Sequence, residues 1–98
     1  MSFRASRTVT GVKVRLYKQT LQRIISKHNE LKGCEDMILE TLEDPDFIVR
    51  GHKGELLAIR HYEVTPVGSK DMVVVYREDK ELVITAFLTS KANRIVER

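Results

Sequence analysis

The stretch DMVVVYREDKELVITAFLTSK, Asp71 to Lys91, sets the architecture of this chain. Two short apolar, β-branched runs flank a charged turn from Glu78 to Lys80, the pattern of a hairpin. Val73, Val74 and Val75, with Val83 and Ile84 across the turn, predict a buried sheet centre. Thr85 falls within the second run, where a hydroxyl gains little from packing and needs a hydrogen-bond partner. The hairpin closes on Thr89, Ser90 and Lys91, so a stiff sheet would end in alcohols and a cation. Such a surface suits a phosphate.

Upstream, Phe47–Arg50 and 55–62 read as two further strands, with Gly51 and Gly54 between them and Pro66 and Gly68 after them. Together with the hairpin they form a four-strand meander. Before it the period changes to that of a helix. Tyr17, Leu21, Ile24, Ile25 and His28 share one side of a wheel, predicting a helix from Lys18 to His28. Gly33 interrupts it. A second helix from Cys34 to Glu43 buries Met37, Ile38 and Leu42 and stops at Pro45. Val12, Val14 and Leu16 alternate with Lys13 and Arg15, predicting one more strand. The expected class is α+β, with an N-terminal strand and two helices packed on one face of a four- to five-stranded antiparallel sheet.

The 98 residues fit one domain, with 1–8 expected to fray and 92–98 to form a short tail. An apolar fraction of 42% and a charged fraction of 32% describe a folded chain rather than a disordered one. The formal charge of +3 permits an anionic partner without demanding one. Its distribution is more informative: Arg4, Arg7, Lys13, Arg15, Lys18, Arg23 and Lys27 all precede the first acid, Glu30. The single cysteine, Cys34, excludes an internal disulfide. No apolar run approaches the roughly 20 residues that span a bilayer. MSFRASRTVT lacks the apolar core of a secretory signal, so a cytoplasmic protein is expected.

Strand neighbours point to opposite sides of a sheet, which sorts the polar residues. Leu57 and Ile59 form the cleaner apolar set and are expected beneath the helices, with His61 beside them in the core. Arg60 and Tyr62 would then share the open face with Thr85 and Thr89, and Tyr76 is a possible member. Arg60 offers a fixed fork of donors to phosphate, or equally an exposed partner for Glu55 or Glu63. His28 ends the apolar side of the first helix. Imidazoles change charge near neutral pH and can shuttle protons, although a histidine in that place also serves as a packed helix end. His52 lies in a glycine turn, exposed to solvent. Zinc-site spacings, phosphate-binding loops and the G-x-S-x-G nucleophile context are all missing, and neither cofactor nor metal is expected.

A helix ending in Lys27 and His28, then LEDPDFIVRG, LLAIRHY, MVVVYRE and VITAFLTSK, resembles the nuclease-like superfamily that unites barnase, EndoU, the colicin-type tRNases and RelE. The likeness is greatest to its phage and mobile-element branch and spans about Val12 to Lys91, making 9–91 a nuclease-like core. The resemblance implies a metal-independent endoribonuclease, toxin-like, cleaving RNA by attack of the 2′-hydroxyl. It points to His28, Arg60, Tyr76, Thr85 and Ser90 as catalytic residues. Lys27, Thr89 and Lys91 would bind the substrate, and an antitoxin or immunity protein is an expected partner. The chain shows no evident counterpart of barnase's glutamate base. That departure supports the alternative, a catalytically degenerate module of the same fold that binds RNA or protein.

Overall fold

The structure, a computed structural model, describes residues 2–93. In chain order its elements are β1 (Phe3–Arg7), β2 (Lys13–Tyr17), α1 (Lys18–Lys27), α2 (Glu35–Glu43), β3 (Phe47–Arg50), β4 (Leu56–Tyr62), β5 (Lys70–Arg77) and β6 (Leu82–Thr89). The α+β class is as expected, but the sheet is larger. It has six strands in the order β1-β2-β6-β5-β4-β3, and it is mixed. Every neighbouring pair is antiparallel except β2 and β6, which run parallel and meet at a single pair, Arg15 and Leu82.

The extra strand is β1, the segment expected to fray. On the side that faces α2 it carries the exposed Arg4 and the buried Ser6, so it shows none of the apolar alternation that announces a strand. Helix α2 supplies what they need. The buried Ser6 hydroxyl donates to the Leu39 carbonyl at 3.0 Å, and Arg4 bonds Glu35 and Asp36 at 2.7 Å each. Gly11, at φ +87°, closes the β1–β2 turn in a conformation that side chains resist.

Both helices lie on one side of the sheet. Ile24 of α1 and Ile38, Leu39 and Leu42 of α2 pack on Val14, Leu16, Ala58, Met72, Val74, Tyr76, Val83 and Ala86. A smaller apolar cluster on the opposite side joins Ile59, Val73 and Ala92, with Leu57 and Phe87 against it. Of the short tail expected over 92–98, only Ala92 and Asn93 lie within the described residues. Among the described residues no helix is long and apolar enough to cross a membrane.

The face assignment differs from expectation in two respects. Ala58, Arg60 and Tyr62, not Leu57 and Ile59, point to the helices, because α2 approaches closely and the small Ala58 fits beneath it. In β6 the alternation is broken. Val75 pairs with Thr85 but Tyr76 pairs with Val83, leaving Ile84 as an inserted residue. This bulge lets Val83 and Ala86 both face the core, while Thr85, Phe87 and Thr89 point to the other side.

Candidate functional site

Strand β2 ends at Tyr17 and α1 begins at the next residue, continuing beside β6 where β2 no longer covers it. Arg23, one turn into α1, donates from Nη2 to the carbonyl of the bulged Ile84 at 2.7 Å. The helix thus lies along the free edge of β6. An opening of about 390 Å³ between them is lined by Arg23, Ile24, Lys27, Ile84 and Thr85. Two of these five residues are cationic and none is acidic.

The helix ends at Lys27, with the His28 amide making the last bond to the Ile24 carbonyl at 2.7 Å. That end carries the imidazole of His28 around the sheet edge to Phe87. The two ring centroids are 6.2 Å apart and their planes are inclined by 40°. Phe87 lies two residues beyond Thr85 on the same side of β6, and Thr89 two residues further. Thr89 Oγ1 accepts the Lys91 amide at 3.0 Å, turning the chain at Ser90 and Lys91. Of the expected residues, Lys27 and Thr85 line the opening and His28 lies beside Phe87, while Thr89, Ser90 and Lys91 follow further along the same strand and its end. Phe87 and Arg23 join them, although neither carried an expectation. Charged residues on the polar side of a helix look alike in sequence, and a half-buried aromatic residue on a strand reads as packing.

No family model, curated protein or solved structure matches this chain. What the site can do therefore rests on its geometry.

Arg60 and Tyr76 are not part of this margin. Arg60 pairs across the sheet with Met72, and Met72 with Leu88, all on the helix-covered side. Its Nη1 donates to the Asp44 carbonyl at 2.6 Å and to Asp44 Oδ2 at 2.9 Å, closing the end of α2. Its Nε is buried without a hydrogen-bond partner, 3.7 Å from the nearest Glu40 oxygen. Tyr62, beneath the Arg60 guanidinium, donates to Glu40 at 2.7 Å. Tyr76 is 1% exposed, and burial followed by the charge of Glu78 pushes its hydroxyl up to about 12.

His61 was expected in the core and is exposed instead, since its side of β4 is the one without helices. Its Nδ1 lies 2.8 Å from Asp71 across the β4–β5 ladder, and its Nε2 lies 3.1 Å from Glu63 and 3.2 Å from the Ser69 hydroxyl. The bond to Asp71, then that to Glu63, holds the charged form and raises the imidazole above its ordinary value, against the effect of burial. Hydroxyl, imidazole and carboxylate stand in the order of a nucleophilic triad. In its charged form the imidazole donates to both carboxylates and has no lone pair left for the Ser69 proton. The cluster is an ion-paired clamp between β4 and β5. Among the described residues no group of three or more His, Cys, Asp or Glu is placed to hold a metal ion.

Proposed function

We propose that this chain is a metal-independent, toxin-like endoribonuclease whose working surface is the margin between α1 and β6. The observation that carries this reading is the imidazole of His28 held against Phe87 beside Lys27 and Thr85. In the proposed reaction His28 takes the proton of a ribose 2′-hydroxyl. The freed oxygen bonds to the adjacent phosphorus as the bond to the 5′-oxygen breaks, and that oxygen leaves with a proton from water. The products are a 2′,3′-cyclic phosphate and a 5′-hydroxyl. Lys27 and Arg23 oppose the charge that grows on the phosphoryl oxygens, the largest single contribution in most such sites. Thr85 and Thr89 hydrogen-bond the phosphate or the base, and Ser90 and Lys91 extend the surface along the strand end. Arg60 and Tyr76 support the fold from the other face and do not reach the same phosphate.

This reading places the protein in the cytoplasm with its RNA, where the buried, unpaired Cys34 stays a thiol. A neutralising antitoxin would cover the same margin. The test is incubation of labelled, structured RNAs with the protein in EDTA. Cyclic-phosphate products that disappear with His28→Ala support the reading. Intact RNA throughout, or cleavage indifferent to His28→Ala, refutes it.

One observation favours a second reading, a module that binds RNA without cutting it. The opening contains no carboxylate to share the proton transfers with His28, so the departing oxygen is left to water. Binding that weakens steeply with salt and yields no product would identify that case.

A further inference from the structure

A groove of about 660 Å³ opens on the helix-covered side, at the end of the sheet that α2 leaves bare. It runs from Ile48 on β3, across Leu56 on β4, to Tyr76 on β5 and Glu78 in the turn that follows it. Its floor is apolar, and Ile48 is 40% exposed there. The polar groups around this floor are unevenly satisfied. Asp79 is paired with Arg77, and Glu78 accepts from the neutral hydroxyls of Thr8, at 2.8 Å, and Thr10. Glu55 has no side-chain partner among the described residues, nor does Arg50 at the β3 end. Tyr76 lines the groove while being 1% exposed, and its hydroxyl makes no hydrogen bond to a described residue.

Among the described residues only Arg60 Nε is buried without a partner, so the Tyr76 hydroxyl reaches the solvent of the groove and stands there as a free donor. The charges describe what would meet it. Glu55 and Glu78 at one end ask for a cation, whereas Arg50 and the Tyr76 hydroxyl offer donors to carbonyl oxygens. Two strand spacings separate β3 from β5, about 10 Å, the span of roughly three extended residues. We propose that this groove binds a short basic peptide segment of a partner protein, its apolar side chain on Ile48 and Leu56 and its lysine or arginine toward Glu55 and Glu78. The groove shares no lining residue with the α1–β6 margin, and peptide binding there does not depend on any ribonuclease activity.

The test titrates the whole protein with acetyl-Leu-Lys-Leu-Lys-amide and, separately, with acetyl-Leu-Glu-Leu-Glu-amide, following the Ile48 methyl and Tyr76 ring resonances by NMR. The expected result is a saturable shift with the lysine peptide, weakened about tenfold by Glu55→Lys and severalfold by Tyr76→Phe. Tyr76→Phe keeps the buried ring, so its fold serves as the control if Glu55→Lys is destabilised. Equal binding of the glutamate peptide, or shifts that leave Ile48 and Tyr76 untouched, would overturn the proposal. So would concentration-dependent self-association that perturbs the same resonances without peptide, since the occupant would then be a second copy.

Discussion

The imidazole of His28 and the ring of Phe87 meet at 6.2 Å around the edge of a sheet, one from the end of a helix and the other from a strand. The contact is made where no hydrogen bond to a described residue holds the imidazole. Phe87→Leu keeps the apolar volume of the second cluster and frees the imidazole. RNA cleavage is expected to fall about tenfold in that variant, and by about 10²–10⁴ in His28→Ala, the usual share of a proton-transferring group. Initial rates on one labelled RNA, with circular dichroism as a check on folding, measure both.

Lys27 faces the opening without an ion-pair partner among the described residues. Lys27→Ala should lower RNA affinity similarly for all sequences and flatten its dependence on salt. For a single-stranded ligand the slope of log affinity against log salt should drop by about 0.7, one phosphate contact. An unchanged slope would remove Lys27 from the RNA surface.

Arg60 joins α2 to β4 through Asp44, so its loss should appear as a change in stability rather than in catalysis. Arg60→Ala is expected to lower the melting temperature by a few degrees and to leave cleavage at the wild-type rate. Arg60→Lys should not restore the melting temperature, because an ammonium cannot meet the carbonyl and the carboxylate with one planar fork. A large loss of cleavage in a folded Arg60→Ala protein would return this residue to the active site.

His61 gives the stability a pH dependence of known sign. Its folded-state pKa is raised by Asp71 and Glu63, so the folded protein binds this proton more tightly than the unfolded chain. The stabilisation is fully present below the unfolded value of about 6.5 and is lost as pH rises through the folded value. Denaturant midpoints of wild type and His61→Gln should differ in mildly acidic solution and converge in alkaline solution. Titration of the ring protons by NMR reads the raised value directly.

Both helices and the four meander strands were legible because their signals are local. Gly33 and Pro45 bracket α2, and the apolar stripe from Leu21 to Ile25 marks α1. Faces were harder. Strand β5 is apolar on both sides and gives no parity, and the inserted Ile84 shifts Val83 onto the same side as Ala86. Choosing the larger side chains for the core misplaced Leu57 and Ile59, because helix packing favoured the small Ala58. Strand β1 was hidden for another reason: Arg4 and Ser6 face α2 and are satisfied by that helix, more than thirty residues away in sequence. At the candidate site, Lys27 and His28 from the helix end and Thr85 from the strand lie along one margin. Arg60, grouped with them by alternation and by the resemblance, does not.

The parallel ladder between β2 and β6 is a single pair long, and that brevity is what gives the margin its shape. Had the strand run on for another two or three positions, it would have zipped along its neighbour, capped the Ile84 carbonyl and pushed the helix outward. Insertions that lengthen β2 should therefore shut the cleft while leaving the hydrophobic interior intact, a way to silence the surface without touching any residue that lines it.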